Sequence, residues 1–270
     1  MKKISHTKQP IVEGLFYPDD PDLLSKKIEQ LMASNPTKKV KGNRIIVPHG
    51  GWDYTGDYIA TGFNSLPKKD YKRVIIISNV HREFSKNIII PESDKFLIAG
   101  NKINVDKEAI SIIKKSGKYV KESNIPHMEE HGIETILPFV AHLYPKASIV
   151  PILLGKTIVS LVRVLTDIIN SINNDDTLII ISSNFSSFQK ESESLAIGKI
   201  GVELTKNGKL SELIEESRTN RLATCGAGAI ASAILLGGFE SIELLKDGLS
   251  KGSPLSGGKA TYYATFAFES

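Results

Sequence analysis

The sequence predicts a three-layer α/β/α sandwich, with a mainly parallel or mixed central sheet and helices on both faces. Four runs are apolar throughout: Ile45–Val47, Val74–Ile77, Ile149–Leu153 and Leu178–Ile181. Strands buried on both faces read in this way. Segments of helical spacing separate the runs, which is the alternation of an α/β fold. No internal repeat, low-complexity tract or Pro- or Ser-rich linker breaks the 270 residues, so the expectation is one domain over residues 1–270.

The chain opens with Pro10-Ile-Val-Glu-Gly-Leu-Phe-Tyr-Pro18, an extended arm with turns. Asp19-Asp-Pro-Asp22 supplies an N-cap for a helix running to about Ala33, and Asn35 to Gly42 is a polar, basic loop. Ile45–Val47 then forms a buried strand that Pro48, His49, Gly50 and Gly51 close, so His49 sits on a bend past a strand's carboxyl end. In open α/β sheets that edge is where ligands bind. Trp52, the only tryptophan, and Tyr54 follow as aromatic walls, and Ile59 to Leu66 reads as a short helix.

Arg73–Ser78 is the next buried strand, with His81 just beyond it, and Ile88–Ile90 is a short strand stopped by Pro91. Asp106 to Ser116 has helical spacing. In Pro126-His-Met-Glu-Glu-His-Gly-Ile-Glu134, a solvated first helical turn accounts for Glu130 and Glu134 as well as a bound group does. Ile133, Ile136, Leu137 and Val140 share a helix face that Pro138 should break or kink. Ala147–Leu154 is a strand, Ile158–Ile172 a helix, and Thr177–Ser182 a strand ending at Asn184. Two or three helices fill Glu191 to Ser217, and a small-residue helix opens at Thr224-Cys225 and runs to Leu236. Ile242–Leu245 and Tyr262–Phe268 close the chain as strands, the second with the alternation of an edge strand.

Composition excludes several classes. A net charge of +4 from 34 basic and 30 acidic residues is too small and scattered for a nucleic-acid surface. Met1-Lys-Lys-Ile-Ser-His6 begins with charge, but no apolar run follows it, so no signal peptide is expected, and no run is long enough to span a membrane. One cysteine, Cys225, allows no internal disulfide and fits the cytosol.

Three loops after apolar strands carry His49, His81 and Asn184, and Cys225 stands at a helix start, where the backbone favours a thiolate. Two imidazoles and a thiol can hold zinc, iron or copper. Loop histidines and a packing cysteine explain the same residues, and composition leaves both readings open. Other motifs fail. Glu130-His131-x-x-Glu134 has the wrong order for a zincin helix, and Val150 stands where a P-loop ending in Gly155-Lys-Thr157 needs glycine. Ser256-Gly-Gly-Lys-Ala260 also lacks that glycine, and Gly226-Ala-Gly-Ala reads as close helix packing. Asn184-Phe-Ser186 is a glycosylation sequon by pattern only, and His6 and His142 read as surface residues.

Taken together, several blocks resemble the Memo-like family, known in microbes as AmmeMemoRadiSam system protein B. Gly14-Leu-Phe-Tyr-Pro18 is similar to its Gly-x-Phe-Tyr-Pro block, and His49-Gly-Gly-Trp-Asp-Tyr-Thr-Gly56 to its His-Ala-Gly-Tyr-x-Tyr-Ser-Gly block. Glu130-His-Gly-Ile-Glu-Thr-Ile-Leu-Pro-Phe139 resembles Glu-His-Ser-x-Glu-x-x-Leu-Pro-Phe, Ser182-Ser-Asn-Phe-Ser-Ser-Phe188 resembles Ser-Ser-Asp-x-Ser-His-Tyr, and Cys225-Gly226 matches Cys-Gly. The resemblance implies a fold related to class III extradiol dioxygenases. It also implies a metal pocket of His49, His81 and Cys225 lined by Trp52, Tyr54, Glu130, His131, Asn184 and Ser187. Family members are described both as metal-dependent redox proteins and as binders of phosphorylated receptor peptides.

The departures are informative. Asn184 replaces the block's Asp, Ser187 its His and Phe188 its Tyr; Ser78-Asn79 replaces a Gly-Pro before the second histidine, and Arg82 replaces a further His. The ligands remain, while a carboxylate and an imidazole suited to proton transfer are gone. Two classes stay open: an oxidoreductase-like enzyme using a divalent transition metal (iron, copper or zinc), and a non-catalytic module that takes a small anionic molecule or peptide in the same pocket. A protein partner is compatible with either.

Overall fold

The computed structural model describes residues 7–82, 85–117, 119–250 and 257–270. His6 and Ser256 lie outside them. The arm begins with β1 (Thr7–Lys8) and leads into α1 (Pro21–Ser34), whose N-cap Asp20 accepts the amides of Asp22 and Leu23. After β2 (Arg44–Val47), α2 spans Trp52–Ser65, not Ile59–Leu66, so Trp52 and Tyr54 lie on a helical turn. Its interior glycines hide the helical spacing but serve close packing. A Cβ on Gly62 would come within 2.5 Å of Val47 Cγ1.

β3 (Arg73–Asn79) and β4 (Ile88–Ile90) precede a hairpin of β5 (Lys95–Ile98) and β6 (Asn101–Asn104) that the sequence does not announce. Its turn residues Ala99 and Gly100 both have positive φ, as a type I′ turn requires, but alanine in place of Asn or Asp removes the usual signal. Next come α3 (Lys107–Lys114), β7 (Val120–Glu122) and α4 (Asn124–Glu129). Pro138 does not break a helix. It stands in the first turn of α5 (Leu137–Leu143), where its missing N–H costs no hydrogen bond.

β8 (Ser148–Leu154), α6 (Val159–Ile172) and β9 (Thr177–Ser182) follow the expected pattern. After β10 (Gln189–Lys190) come α7 (Glu191–Lys206), α8 (Leu210–Arg218) and α9 (Ala227–Leu235). β11 (Ser241–Leu249), β12 (Lys259–Ala260) and β13 (Tyr262–Glu269) complete the chain.

The main sheet has eight strands in the order β11-β13-β2-β9-β3-β8-β4-β7. β2, β9, β3 and β8 are mutually parallel, while β13 runs antiparallel to β2, and β4 to β8. β13 is therefore interior, and β11 is the edge. The polar members of β13 mislead, because Thr265 is buried with its hydroxyl donating to the Tyr58 carbonyl. α1, α2 and α5 cover one face, and α3, α6, α7, α8 and α9 the other, giving the three layers. One apolar cluster runs from Val12 to Phe268. Among the described residues no helix is long and apolar enough to cross a membrane. Val47 pairs with Ser182, Ile77 with Ile181 and Asn79 with Leu154, so the carboxyl ends of the four parallel strands lie level along one rim.

Candidate metal centre

That rim brings three separated side chains together. A ring nitrogen of His49, a ring nitrogen of His81 and the sulfur of Cys225, each able to ligate a metal, all lie within 4.8 Å of one another. His49 follows β2 and is 3% exposed, and His81 follows β3. Cys225 lies one residue before Gly226, the N-cap of α9. The loop after β9 fixes its position: the Cys225 amide donates to the Asn184 carbonyl at 3.1 Å, and the Asn184 amide donates back to Sγ at 3.2 Å.

The second nitrogen of each imidazole is already committed. His49 Nδ1 lies 2.8 Å from Ser182 Oγ, whose single proton goes to the Gly132 carbonyl at 2.6 Å. Ser182 must therefore accept from Nδ1–H, which leaves the Nε2 lone pair facing the thiol, 3.9 Å from Sγ. His81 Nδ1 lies 2.7 Å from Glu130 Oε2, and Glu130 also accepts the backbone amides of His81 and Arg82. Such outer contacts fix the tautomer and orientation of a metal-ligating histidine.

The electrostatics agree. Burial works against a charged His81, but hydrogen bonds and charge from Cys225 and Glu130 outweigh it and raise its pKa to about 10. Burial would push the Cys225 thiol up, yet His49 and His81 hold it well below the usual thiol range. Glu130 is held below the usual carboxylate range: burial opposes this, and the His81 and Arg82 contacts prevail. The Glu130 and Glu134 carboxylates are buried, so the solvated-turn alternative for them does not hold.

The other expected wall residues divide. His131 stands beside this cluster, its ring 5.4 Å from that of His49 and stacked at 6.2 Å on His81, with Phe16 edge-on at 5.4 Å. Burial and the neighbouring histidines lower its pKa to about 4. Trp52 instead fills the core between Tyr17 and Phe139, donating to the Thr135 carbonyl. Tyr54 is 40% exposed on the first turn of α2. Asn184 clamps the backbone of His49, accepting its amide and donating to its carbonyl, both at 3.1 Å. Ser187 is exposed. The residues after Asn184 in the sequon, Phe185 and Ser186, are buried.

Glu134 belongs to the arm rather than to the cleft. It pairs with buried Lys8 and accepts the amides of Ile11 and Val12 and the hydroxyl of Tyr17. Sequence reasoning missed Ser182, Gly132 and Phe16. Ser182 was legible in principle, since it pairs with Val47 at the end of a strand in register with the one leading to His49.

The family model described as "Memo-like protein" matches residues 8–243. A "MEMO1 family protein" of Thermotoga neapolitana is 27% identical over 259 residues, covering 90% of this chain and 92% of that one. Another, from Methanobrevibacter smithii, is 27% identical over 244 residues and covers 85% and 86%. A crystal structure of an uncharacterized protein from Escherichia coli K12 superposes with a TM-score of 0.50 at 11% identity, over 82% of this chain and 98% of that one. That likeness speaks to the fold alone.

Proposed function

The chain belongs to the Memo-like protein family, and from that membership and the geometry of the rim we propose that it binds one divalent transition-metal ion through His49, His81 and Cys225. The observation that carries this reading is the convergence of one ring nitrogen from each histidine with Sγ, while both Nδ1 atoms have hydrogen-bond partners of their own. Imidazole and thiolate donors suit iron, copper or zinc. When bound, such an ion supplies Lewis acidity and, for iron or copper, one-electron chemistry. The chain's own residues do the rest: Ser182 and Glu130 orient the imidazoles, and the Asn184 amide and both histidines favour the thiolate.

The test is alkylation of Cys225 with and without chelator, on protein of measured metal content. Metal-loaded protein should label slowly and chelated protein quickly, because ligation removes the reactive thiolate. Equal rates, with no metal in the wild type, would leave a metal-free binding module as the better reading.

Asn184 and Ser187 favour a binding or carrier role over ring cleavage. The amide at 184 is spent on the His49 backbone, and position 187 offers an exposed hydroxyl. We expect no extradiol turnover on simple catechols. Oxygen uptake by iron-loaded protein across a catechol panel measures this, and robust uptake would show that another group, with His131 the nearest candidate, supplies the proton transfer.

A further inference from the structure

His142, which reads as a surface residue in the sequence, lines a cleft of about 500 Å³ where α1, α5 and the β5–β6 hairpin meet. Ala147 of the same lining directly precedes β8, whose other end is Leu154 at the rim. The length of that strand, about 20 Å, therefore separates the cleft from the candidate metal centre. The floor is apolar and buried, with Leu24, Ile28 and Ile103. Lys102 of β6 and Lys146, in the connection from α5 to β8, bring positive charge to the lining, and among the described residues no Asp or Glu belongs to it. Both ammonium groups are uncommitted: neither makes a hydrogen bond, ion pair or ring contact with a described residue. The His142 imidazole is half used. Its Nδ1 lies 3.4 Å from the Ser25 hydroxyl, and its Nε2 has no partner among the described residues. The Glu29 carboxylate, 3.4 Å from the same hydroxyl, lies outside the lining. Like charges facing one concavity raise the local concentration of anions.

We propose that this cleft is a second ligand site, which takes a small organic dianion, a phosphate monoester or a dicarboxylate. Lys102 and Lys146 pair with its charge. With Nδ1 accepting from Ser25, His142 donates to it from Nε2. The apolar floor takes the carbon part of the molecule. A volume of this size, an apolar wall and a few convergent polar groups are what small-molecule sites combine. Lys102 stands on the hairpin, and Lys146 and His142 stand on the segment from α5 to β8, so the bound dianion ties these two parts together. The site is separate from the metal centre and does not depend on it.

The experiment is titration calorimetry of the full chain with two probes, inorganic phosphate and succinate, joined to hydrogen exchange of the hairpin with and without each probe. Three proteins are compared: wild type, Lys102→Ala/Lys146→Ala, and Lys199→Ala/Lys206→Ala, which removes the same charge from α7 outside the cleft. All four lysines are exposed, so the melting temperatures should agree. Wild type and the α7 variant should bind at least one probe equally, with slower exchange over β6. The cleft variant should bind it at least about tenfold more weakly, as expected for losing charge-assisted hydrogen bonds. Preference for phosphate or succinate identifies the dianion. The proposal is overturned if neither probe binds wild type at millimolar concentration, or if the cleft variant binds as tightly as wild type. It is also overturned if the α7 variant loses as much, or if binding leaves exchange over β6 unchanged. Chelation should not alter the binding, so failure of the metal reading would leave this site standing.

Discussion

Glu134→Ala is expected to lower the free energy of unfolding by about 3–5 kcal/mol, the range for removing one partner of a buried ion pair. The Glu134 and Lys8 side chains are 1% and 3% exposed. Without the carboxylate, the Lys8 ammonium is left uncompensated where burial already lowers its pKa and Glu134 is what opposes that shift. The amides of Ile11 and Val12 and the Tyr17 hydroxyl lose their acceptor at the same time. The Val12 amide and the Tyr17 hydroxyl are buried, and each adds its own desolvation cost, so the effect should exceed that of any exposed ion pair among the described residues, such as Glu215 with Arg218. Glu134→Gln keeps an acceptor oxygen and should cost less. Combining Lys8→Met with Glu134→Ala should recover part of the loss, since no buried charge then remains. Urea unfolding of the set reads these differences, and a loss below about 1 kcal/mol for Glu134→Ala would show that the arm is not fastened as described.

The ligand series should show the largest effect on binding. Structural zinc sites bind with about 10–16 kcal/mol shared among four ligands, so each ligand accounts for roughly 3 kcal/mol, or more than a hundredfold in affinity. His49→Ala, His81→Ala and Cys225→Ser should each lose at least that much. Glu130→Gln should lose only about 10–100-fold, because it disturbs the orientation of His81 while leaving every ligand in place. The order of the losses is the diagnostic. Glu130 accepts from His81 Nδ1 and from two backbone amides, and an amide at that position keeps an acceptor for only part of that set. Binding must also release protons, because His81 is held protonated before ligation, so affinity should rise with pH. Equilibrium competition with a chromophoric chelator gives the constants. A Glu130 variant as damaged as the ligand variants would mean that the carboxylate itself reaches the metal.

Much of this was legible in the residues. Continuous apolar runs ending in histidine or Asn identified both the parallel strands and the rim, because a strand buried on both faces has no polar face to confuse its pattern. The parts that stayed hidden are those in which polar residues do structural work. Asn184 looks like a diminished catalytic group in the sequence, but in the fold it ties down the His49 backbone. Glu134 looks like half of a site, but in the fold it fastens the N-terminal arm. Trp52 reads as a pocket wall next to His49, but α2 begins at that residue and turns the indole into the core. In each case the decisive partner is far away in sequence, Lys8 for Glu134 and Thr135 for Trp52, and local spacing carries no trace of it.

The Gly132 backbone has one more neighbour. A Cβ at that position would fall on the Ser78 hydroxyl, which is buried and without a hydrogen-bond partner among the described residues. The family blocks that this chain resembles carry the reverse arrangement, serine at the position of Gly132 and glycine at that of Ser78. Only one of the two can project a side chain into the gap beneath His49. Gly132→Ser is therefore expected to be tolerated only when Ser78→Gly accompanies it.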